Sequence, residues 1–514
     1  MNFDRANDPN AARLIESLRH LGYGNYEAVA DIVDNAIDAE APQVTISVHQ
    51  HQGDIAIVIA DDGTGMDYET LNEAMKLGSA IERNVNSDLG KFGMGLVTAS
   101  LSIAKRCHVV TRGADGALSS IQDVDEIIKR NAFVKHLDKA TPEEVAMLDS
   151  IIGADNTGTV VTLTNSDGLS NRNTTNFALV LRNHLGRVHR YFIEAGRRIV
   201  VNGDPVESKD PLQLSDEATE TVIDDLIPVK VGIDGSKREE TIRVRIALVP
   251  ETTASELDIG RSMKAQGFYI MRNQREVMNA ITLDYFTKHN DFNRMRGEIF
   301  FPGTLDKLVG IEFTKRQVNL DQSLDDQLAQ VIRPICRSIK RQERGRRRVE
   351  TSDAQREVHD RSAKAIAEKD KLLVKPKARV EKRKLRTLQG NGAGSDGPKK
   401  EHPPTGRKRG NFRNTQEIES RLNCEFREEK LGPNGQIYEA DLEGRKVIIR
   451  YNVEHPFYQR FLVETLGEGK GASAADFLIY SMATAELRLM DDGVLDAVNN
   501  FKITMSSNLR TLLN

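Results

Sequence analysis

The spacing of apolar residues divides the first part of the chain into helices and strands. Between residues 27 and 39, apolar side chains recur at helical spacing and no Gly or Pro interrupts them, which predicts a helix. Residues 44–48 alternate as a strand does, and residues 55–60 form a short apolar run. Residues 96–104 predict a helix of small residues, and residues 160–163 predict a strand. This order of elements predicts an α/β fold, an α+β sandwich.

The pattern changes to longer strands after residue 206. Residues 241–249 alternate, residues 267–277 predict a hairpin, and a helix is predicted over 326–343. A charged stretch follows, and the Gly-rich residues 389–398 are typical of a flexible linker. We therefore predict four parts: residues 1–206, residues 207–335, a charged helix with a basic linker at 336–411, and a small α+β domain at 412–514.

The C-terminal part has its own alternation of elements. Its strands are predicted at 436–440 and 446–451, and its helices at 474–490 and 494–513. The first of these helices is predicted to have an apolar face through Phe477, Leu478, Met482 and Leu487. The sequence contains no cluster of metal ligands and no nuclease motif here. We interpret this part as an interaction or dimerisation domain.

Composition narrows the class of protein. A net charge of −4 over 514 residues is small, so charge alone indicates no nucleic-acid partner. The three cysteines are widely spaced, a pattern that predicts neither disulfides nor a zinc site and fits a reducing compartment. Neither a secretory leader nor an apolar stretch of about eighteen residues is visible. We expect a cytoplasmic protein without a membrane span.

The helix predicted over 27–39 carries the first candidate chemistry. Asp31 and Asn35 are four residues apart, so their side chains lie one turn above each other. The amide oxygen of Asn35 can hold a metal ion while the carboxylate of Asp31 orients a water molecule. This pair alone is common on solvated helices, so its meaning depends on the stretches that follow.

Three further stretches with candidate chemistry lie beside predicted strands and helices. They are Asp61-Asp62-Gly63-Thr64-Gly65-Met66, Gly90-Lys91-Phe92-Gly93-Met94-Gly95, and Thr157-Gly158-Thr159. Together with the Asp31–Asn35 helix, and in this order, they resemble the GHKL ATPase superfamily of gyrase, heat-shock chaperone, histidine kinase and MutL. The resemblance is to the MORC- and MutL-like branch and covers about residues 8–335.

The resemblance implies a Bergerat-type ATP-binding domain that binds ATP with Mg²⁺. Asp61 would accept a hydrogen bond from the adenine amino group, Met66 would cover the base, and Thr159 would reach the adenine through water. Gly63 and Gly65 would let the backbone approach the base, and the glycine-rich stretch would cradle phosphates before a helix. The implied ATP-binding residues are Asn35 (also the Mg²⁺ ligand), Asp61, Gly63, Gly65, Met66, Gly90, Lys91, Phe92, Gly93, Met94, Gly95 and Thr159.

The resemblance continues into residues 207–335. MutL- and MORC-type ATPases have a β-rich transducer domain here, which donates a lysine to the γ-phosphate. Lys315, in a polar break after an apolar strand, is the candidate and is favoured over Arg316. An ordinary surface Lys-Arg pair is the alternative interpretation.

One position departs from the family pattern. Most of the relatives have glutamate four residues before the magnesium-binding Asn, and this chain has Asp31, which is one methylene shorter. We predict that Asp31 still orients the attacking water and that turnover is slow. Glu27, one turn earlier, is the alternative base.

The resemblance implies a nucleotide-gated clamp. ATP binding would order the lid and pair two N-terminal domains as a homodimer, and hydrolysis would reopen them. The helix predicted over 9–20 either crosses to a partner or packs on its own domain. The basic linker makes DNA a candidate partner, and bacterial relatives suggest phage defence or restriction by analogy alone.

Two other classes of protein were weighed. A chaperone-like clamp on proteins shares the same ATPase core, so only the basic linker separates it from a DNA clamp. A histidine kinase is disfavoured, because only His20 precedes Asp31 as a phosphoacceptor. The sequence identifies no protein partner.

Overall fold

The computed structural model describes most of the chain. The described residues are 9–20, 24–79, 84, 88–90, 95–233, 236–250, 263–310, 318–347, 353–369, 372–373, 423–443, 446–467, 470–489 and 492–514. They divide into two compact units. The first comprises Met1–Pro250 with Ala265–Ile339, and the second comprises Glu251–Lys264 with Lys340–Asn514.

The larger sheet of the first unit has eight strands in the order β5-β4-β3-β6-β2-β1-β7-β8. Neighbouring strands are antiparallel except β1 and β7, which are parallel. The strands are β1 Gln43–His51, β2 Asp54–Asp61, β3 Arg106–Gly113, β4 Gly116–Asp123, β5 His136–Lys139, β6 Gly158–Thr164, β7 Arg198–Val201 and β8 Asp204–Pro205.

Eight helices accompany this sheet within the described residues. They are α1 Ala11–Arg19, α2 Asn25–Asp38, α3 Tyr68–Ala74, α4 Gly95–Ile103, α5 Val124–Arg130, α6 Pro142–Ile152, α7 Thr174–Val188 and α8 Arg190–Glu194. Helices α5 and α6 lie between β4 and β6 in the chain, and β5 between these helices adds an edge strand to the sheet.

The main core of the first unit is built from apolar residues that alternate along the strands and recur at helical spacing along the helices. In β1 the buried residues Val44, Ile46 and Val48 alternate with more exposed neighbours. Helix α2 buries Ala28, Ile32 and other apolar residues in the same cluster. Because most of α2 is buried in this core, the polar groups it carries are held in fixed positions.

The second sheet of the first unit has five strands in the order β12-β11-β13-β10-β9. They are β9 Glu220–Ile233, β10 Ser236–Leu248, β11 Gly267–Arg272, β12 Arg275–Ile281 and β13 Met295–Phe301. A short helix, α9 Asp306–Val309, and the long helix α10 Gln322–Arg347 follow. Leu324, Leu328 and Ile332, four residues apart, are buried in the core of this sheet.

The second unit contains a three-stranded sheet in the order β14-β16-β15, with β14 Asn423–Glu429, β15 Tyr438–Glu443 and β16 Lys446–Asn452. The hairpin of β15 and β16 was predicted, whereas β14, which pairs parallel to β16, was not. Its helices are α11 Asp353–Glu368, a π-helix Phe457–Leu466, α12 Lys470–Glu486 and α13 Asp492–Leu513.

The predicted fold class is confirmed, since a large sheet with helices precedes a β-rich part and a smaller α+β part. The division into four domains stays a prediction. No helix among the described residues is long and apolar enough to cross a membrane.

Candidate functional site

Asp31 lies in the middle of α2, where its carboxylate is buried. It forms an ion pair with Arg275, whose Nη2 donates to Oδ1 of Asp31 at 2.7 Å. Arg275 begins β12 of the second sheet, 244 positions further along the chain. The predicted base is therefore tied to the second sheet, a contact that its helical position did not indicate.

Asn35 lies one turn after Asp31 on the same helix. Its side-chain nitrogen is buried and has no hydrogen-bond partner within the described part of the chain. A buried amide without a partner costs free energy, so such groups commonly await a ligand or a water molecule. The amide nitrogen of Asn35 can donate to an oxygen of a bound ligand such as a nucleotide, and its amide oxygen is of the type that Mg²⁺ prefers.

Asp61 ends β2 and is only 8% exposed. Its Oδ1 accepts a hydrogen bond from the backbone nitrogen of Gly63 at 3.0 Å. Burial raises the pKa of Asp61 to about 6, and the neighbouring carboxylate of Asp62 adds to the rise. A carboxylate held in this way suits a ligand that donates a hydrogen bond to it.

Thr159 is brought next to Asp61, since the two residues pair across β2 and β6. The Thr159 hydroxyl lies 3.0 Å from the hydroxyl of Thr111, on β3. The Thr111 hydroxyl also accepts a hydrogen bond from the backbone nitrogen of Met66 at 3.0 Å. Thr111 therefore links the Asp61 stretch to Thr159, a role that sequence reasoning missed.

The Asp61 stretch also reaches the C-terminal end of α2. The backbone nitrogen of Thr64 donates to the carbonyl of Ala39 at 3.0 Å. Gly65 has a φ of +66°, and a Cβ there would overlap the carbonyl oxygen of Arg112. Gly65 is thus required for packing against β3, and its predicted approach to a base stays a prediction.

Gly90 is held against α2 by Asp38. The two carboxylate oxygens of Asp38 accept hydrogen bonds from the backbone nitrogens of Leu89, at 2.9 Å, and Gly90, at 3.1 Å. From the second sheet, Arg272 donates to the carbonyl of Asp88 at 2.8 Å. The start of the glycine-rich stretch is therefore fixed between α2 and the turn that joins β11 and β12.

Several predicted residues lie outside the described residues. These are Lys91, Phe92, Gly93 and Met94 of the glycine-rich stretch, and Lys315 with its neighbour Arg316. Their roles stay predictions. Gly95 is described and begins α4.

The structure gathers the predicted site residues that it describes around α2. Asp31 and Asn35 are on the helix, Gly90 is bonded to it through Asp38, and the Asp61 stretch contacts its end. Sequence reasoning missed Asp38, Thr111, Arg272 and Arg275. The one signal for Arg275 in the sequence was its position as a charged residue directly after the Asn273-Gln274 turn. Sequence spacing alone could not show that its partner is Asp31.

His189, at the end of α7, and Arg190, the first residue of α8, are also buried. Nε2 of His189 lies 2.8 Å from Oδ1 of Asp34, and Arg190 pairs with Glu276 and Glu298 of the second sheet at 2.7 and 2.6 Å. Burial favours a structural role for both residues. The His189–Asp34 pair joins α7 to α2, and the Arg190 pairs join α8 to the second sheet.

The sequence was compared with known families. Residues 23–159 match the family described as histidine kinase-, DNA gyrase B-, and HSP90-like ATPase. The matched segment includes α2, the Asp61 stretch and Thr159, which are the elements that the structure brings together.

Individual relatives match a segment of the chain. ATPase MORC2 from Homo sapiens and ATPase MORC2A from Mus musculus are each 29% identical over 123 residues. ATPase morc-1 from Caenorhabditis elegans is 27% identical over 107 residues, or 21% of this chain. The match to the first two covers 22% of this chain and about 12% of each relative's length.

Proposed function

We propose that this protein binds ATP with Mg²⁺ and hydrolyses it slowly as a nucleotide-gated dimeric clamp, because residues 23–159 match a GHKL-type ATPase family and a segment of the chain is similar to ATPase MORC2. Similarity to this superfamily supports ATPase activity in general. The observation that carries the proposal is the buried carboxylate of Asp61 beside Thr159, with the amide nitrogen of Asn35 on the adjoining helix, which has no hydrogen-bond partner among the described residues.

Each residue has a role in the proposed reaction. Asp61 accepts a hydrogen bond from the adenine amino group, and a base that lacks this donor leaves a buried carboxylate unpaired. Asp31 orients the water that attacks the γ-phosphate. Asn35 holds Mg²⁺, which neutralises charge on the phosphates when it is bound. Lys315 adds a positive charge at the γ-phosphate.

The clamp is the further part of the proposal. Binding of ATP fixes the stretch 90–95 over the phosphates, and two copies of the chain then pair through their N-terminal parts. DNA is the proposed substrate held by the closed dimer, in contact with the basic linker of the 336–411 part, and phage defence or restriction is its proposed setting. The arginines and lysines of that linker would neutralise DNA phosphates.

Two measurements test the proposal. Phosphate release from MgATP by the full chain should exceed release from MgGTP, and sedimentation with a non-hydrolysable ATP analogue should show a dimer that ADP does not produce. DNA retention by this dimer should fall steeply as salt is raised. Equal release from both nucleotides would refute adenine recognition, and salt-independent retention would refute the basic contact.

A further inference from the structure

The turn between β11 and β12 inserts a buried arginine into the candidate site. Arg275 is the first residue of β12 and is only 4% exposed. Each nitrogen of its guanidinium has an acceptor. Nη2 donates to Asp31 at 2.7 Å, Nε lies 2.9 Å from Oδ2 of Asp34, and Nη1 donates to the backbone carbonyl of Glu276 at 2.8 Å.

This arrangement fixes the direction of the guanidinium. The arginine fork is planar and rigid, so contacts at all three nitrogens leave it one orientation. Burial lowers the pKa of Arg275, but the carboxylates of Asp34 and Asp31 outweigh that effect and raise the pKa above its ordinary value. Arg275 therefore remains charged in the interior.

The contact with Asp31 is directional as well. The hydrogen bond engages Oδ1, and this contact holds the carboxylate in a defined orientation. When a positioned catalytic group loses its alignment, the reaction rate falls even if ground-state binding survives. An aspartate has a shorter reach than a glutamate, so its alignment matters more.

We propose that Arg275 is a positioning residue for hydrolysis, which orients the Asp31 carboxylate toward the attacking water from the second sheet. This inference rests on the proposed ATPase function. It gives the second sheet a part in the reaction that is separate from Lys315. Arg272, in the same hairpin, donates a hydrogen bond to the carbonyl of Asp88. The hairpin of β11 and β12 therefore contacts both the proposed general base, Asp31, and the start of the glycine-rich stretch.

The test compares Arg275→Gln with Arg275→Lys in the full chain. Gln removes the charge, so kcat for MgATP should fall at least about tenfold, the lower part of the range for a positioned base. ADP affinity, measured by titration calorimetry, should stay within about twofold, since ADP binding does not need an oriented water. Lys restores a charge without the fork and should recover part of kcat.

Arg187→Gln is the matched control. Arg187 bonds to Glu276 of the same hairpin at 2.8 Å, and within the described part of the chain it forms no ion pair with Asp31. Its loss should change kcat by less than about twofold. In an Asp31→Asn background, Arg275→Gln should cause no further loss of kcat, because a residue that acts through Asp31 has nothing left to orient.

Three outcomes would overturn the inference: an unchanged or raised kcat in Arg275→Gln, a loss of ADP affinity as large as the loss of kcat, or a further loss in the Asp31→Asn background. If Arg275→Gln does not fold, an Arg275→Lys variant with full kcat would overturn it as well. Absence of turnover in the wild type would instead refute the proposed function. Full turnover in Asp31→Asn would refute the assignment of Asp31 as the general base.

Discussion

The buried carboxylate of Asp61 should make the nucleotide-free protein less stable above neutral pH. Its pKa is raised from 3.8 to about 6 because burial disfavours the charged form. A raised pKa means that the stabilising contribution is present at low pH and is lost as pH rises through about 6. The shift of roughly two pKa units corresponds to about 3 kcal/mol when the group is fully ionised.

Asp61→Asn removes this ionisation and keeps an oxygen that can accept the hydrogen bond from Gly63. We therefore expect the nucleotide-free variant to be more stable than the wild type at about pH 8, with a difference that shrinks by about 1.5 kcal/mol at about pH 5. The midpoints of thermal unfolding should diverge by about 2–4 °C between these pH values.

Nucleotide should reverse the order of stability. At about one thousand times its dissociation constant, ATP adds about 4.1 kcal/mol to the wild type, which exceeds the deficit of about 3 kcal/mol at pH 8, whereas a variant that cannot bind gains nothing. Thermal unfolding of each protein with and without ATP, at both pH values, gives its stability under all four conditions. The reasoning would be refuted if the stability difference between the variants did not change with pH, or if the variant gained as much from ATP.

Three further changes test other contacts. Asp38→Ala removes the acceptors for the backbone nitrogens of Leu89 and Gly90, so ATP affinity measured by calorimetry should fall about tenfold; unchanged affinity would show that the anchor is not needed. Gly93→Val should block close backbone approach to phosphate and abolish analogue-dependent dimers in sedimentation, and persistent dimers would contradict this. Lys315→Ala should reduce kcat much more than ADP affinity, and equal losses would move the γ-phosphate contact elsewhere.

The sequence was sufficient to predict the parts of the fold that depend on the local spacing of apolar residues. Helix α2, strands β1 and β2, and the hairpin of β15 and β16 follow from apolar spacing, which each segment carries within itself. The apolar face predicted for α12 was wrong in part. Phe477 and Leu478 are exposed, the latter at 61%, and the helix buries Ile479, Tyr480 and Ala483 instead. Apolar type alone does not show which face meets the core.

The motifs identified the site better than they described its connections. Order and spacing located Asp61 and Thr159, which pair across two strands. The partners Arg275 and Thr111 were missed because they come from strands distant in sequence, and no local pattern encodes such a pairing. Strand β14 was missed for the same reason, since β15 separates it in sequence from its partner β16.

Phosphate release by the Asp31→Asn variant tests the central claim most directly. Positioned general bases contribute about two to four orders of magnitude, so the variant should keep ATP affinity, lose at least about tenfold in turnover and accumulate as the ATP-bound dimer. Glu27→Gln, one turn away on the same helix, should change turnover little. Full turnover in the Asp31 variant, with loss in the Glu27 variant, would contradict the account and move the base to Glu27.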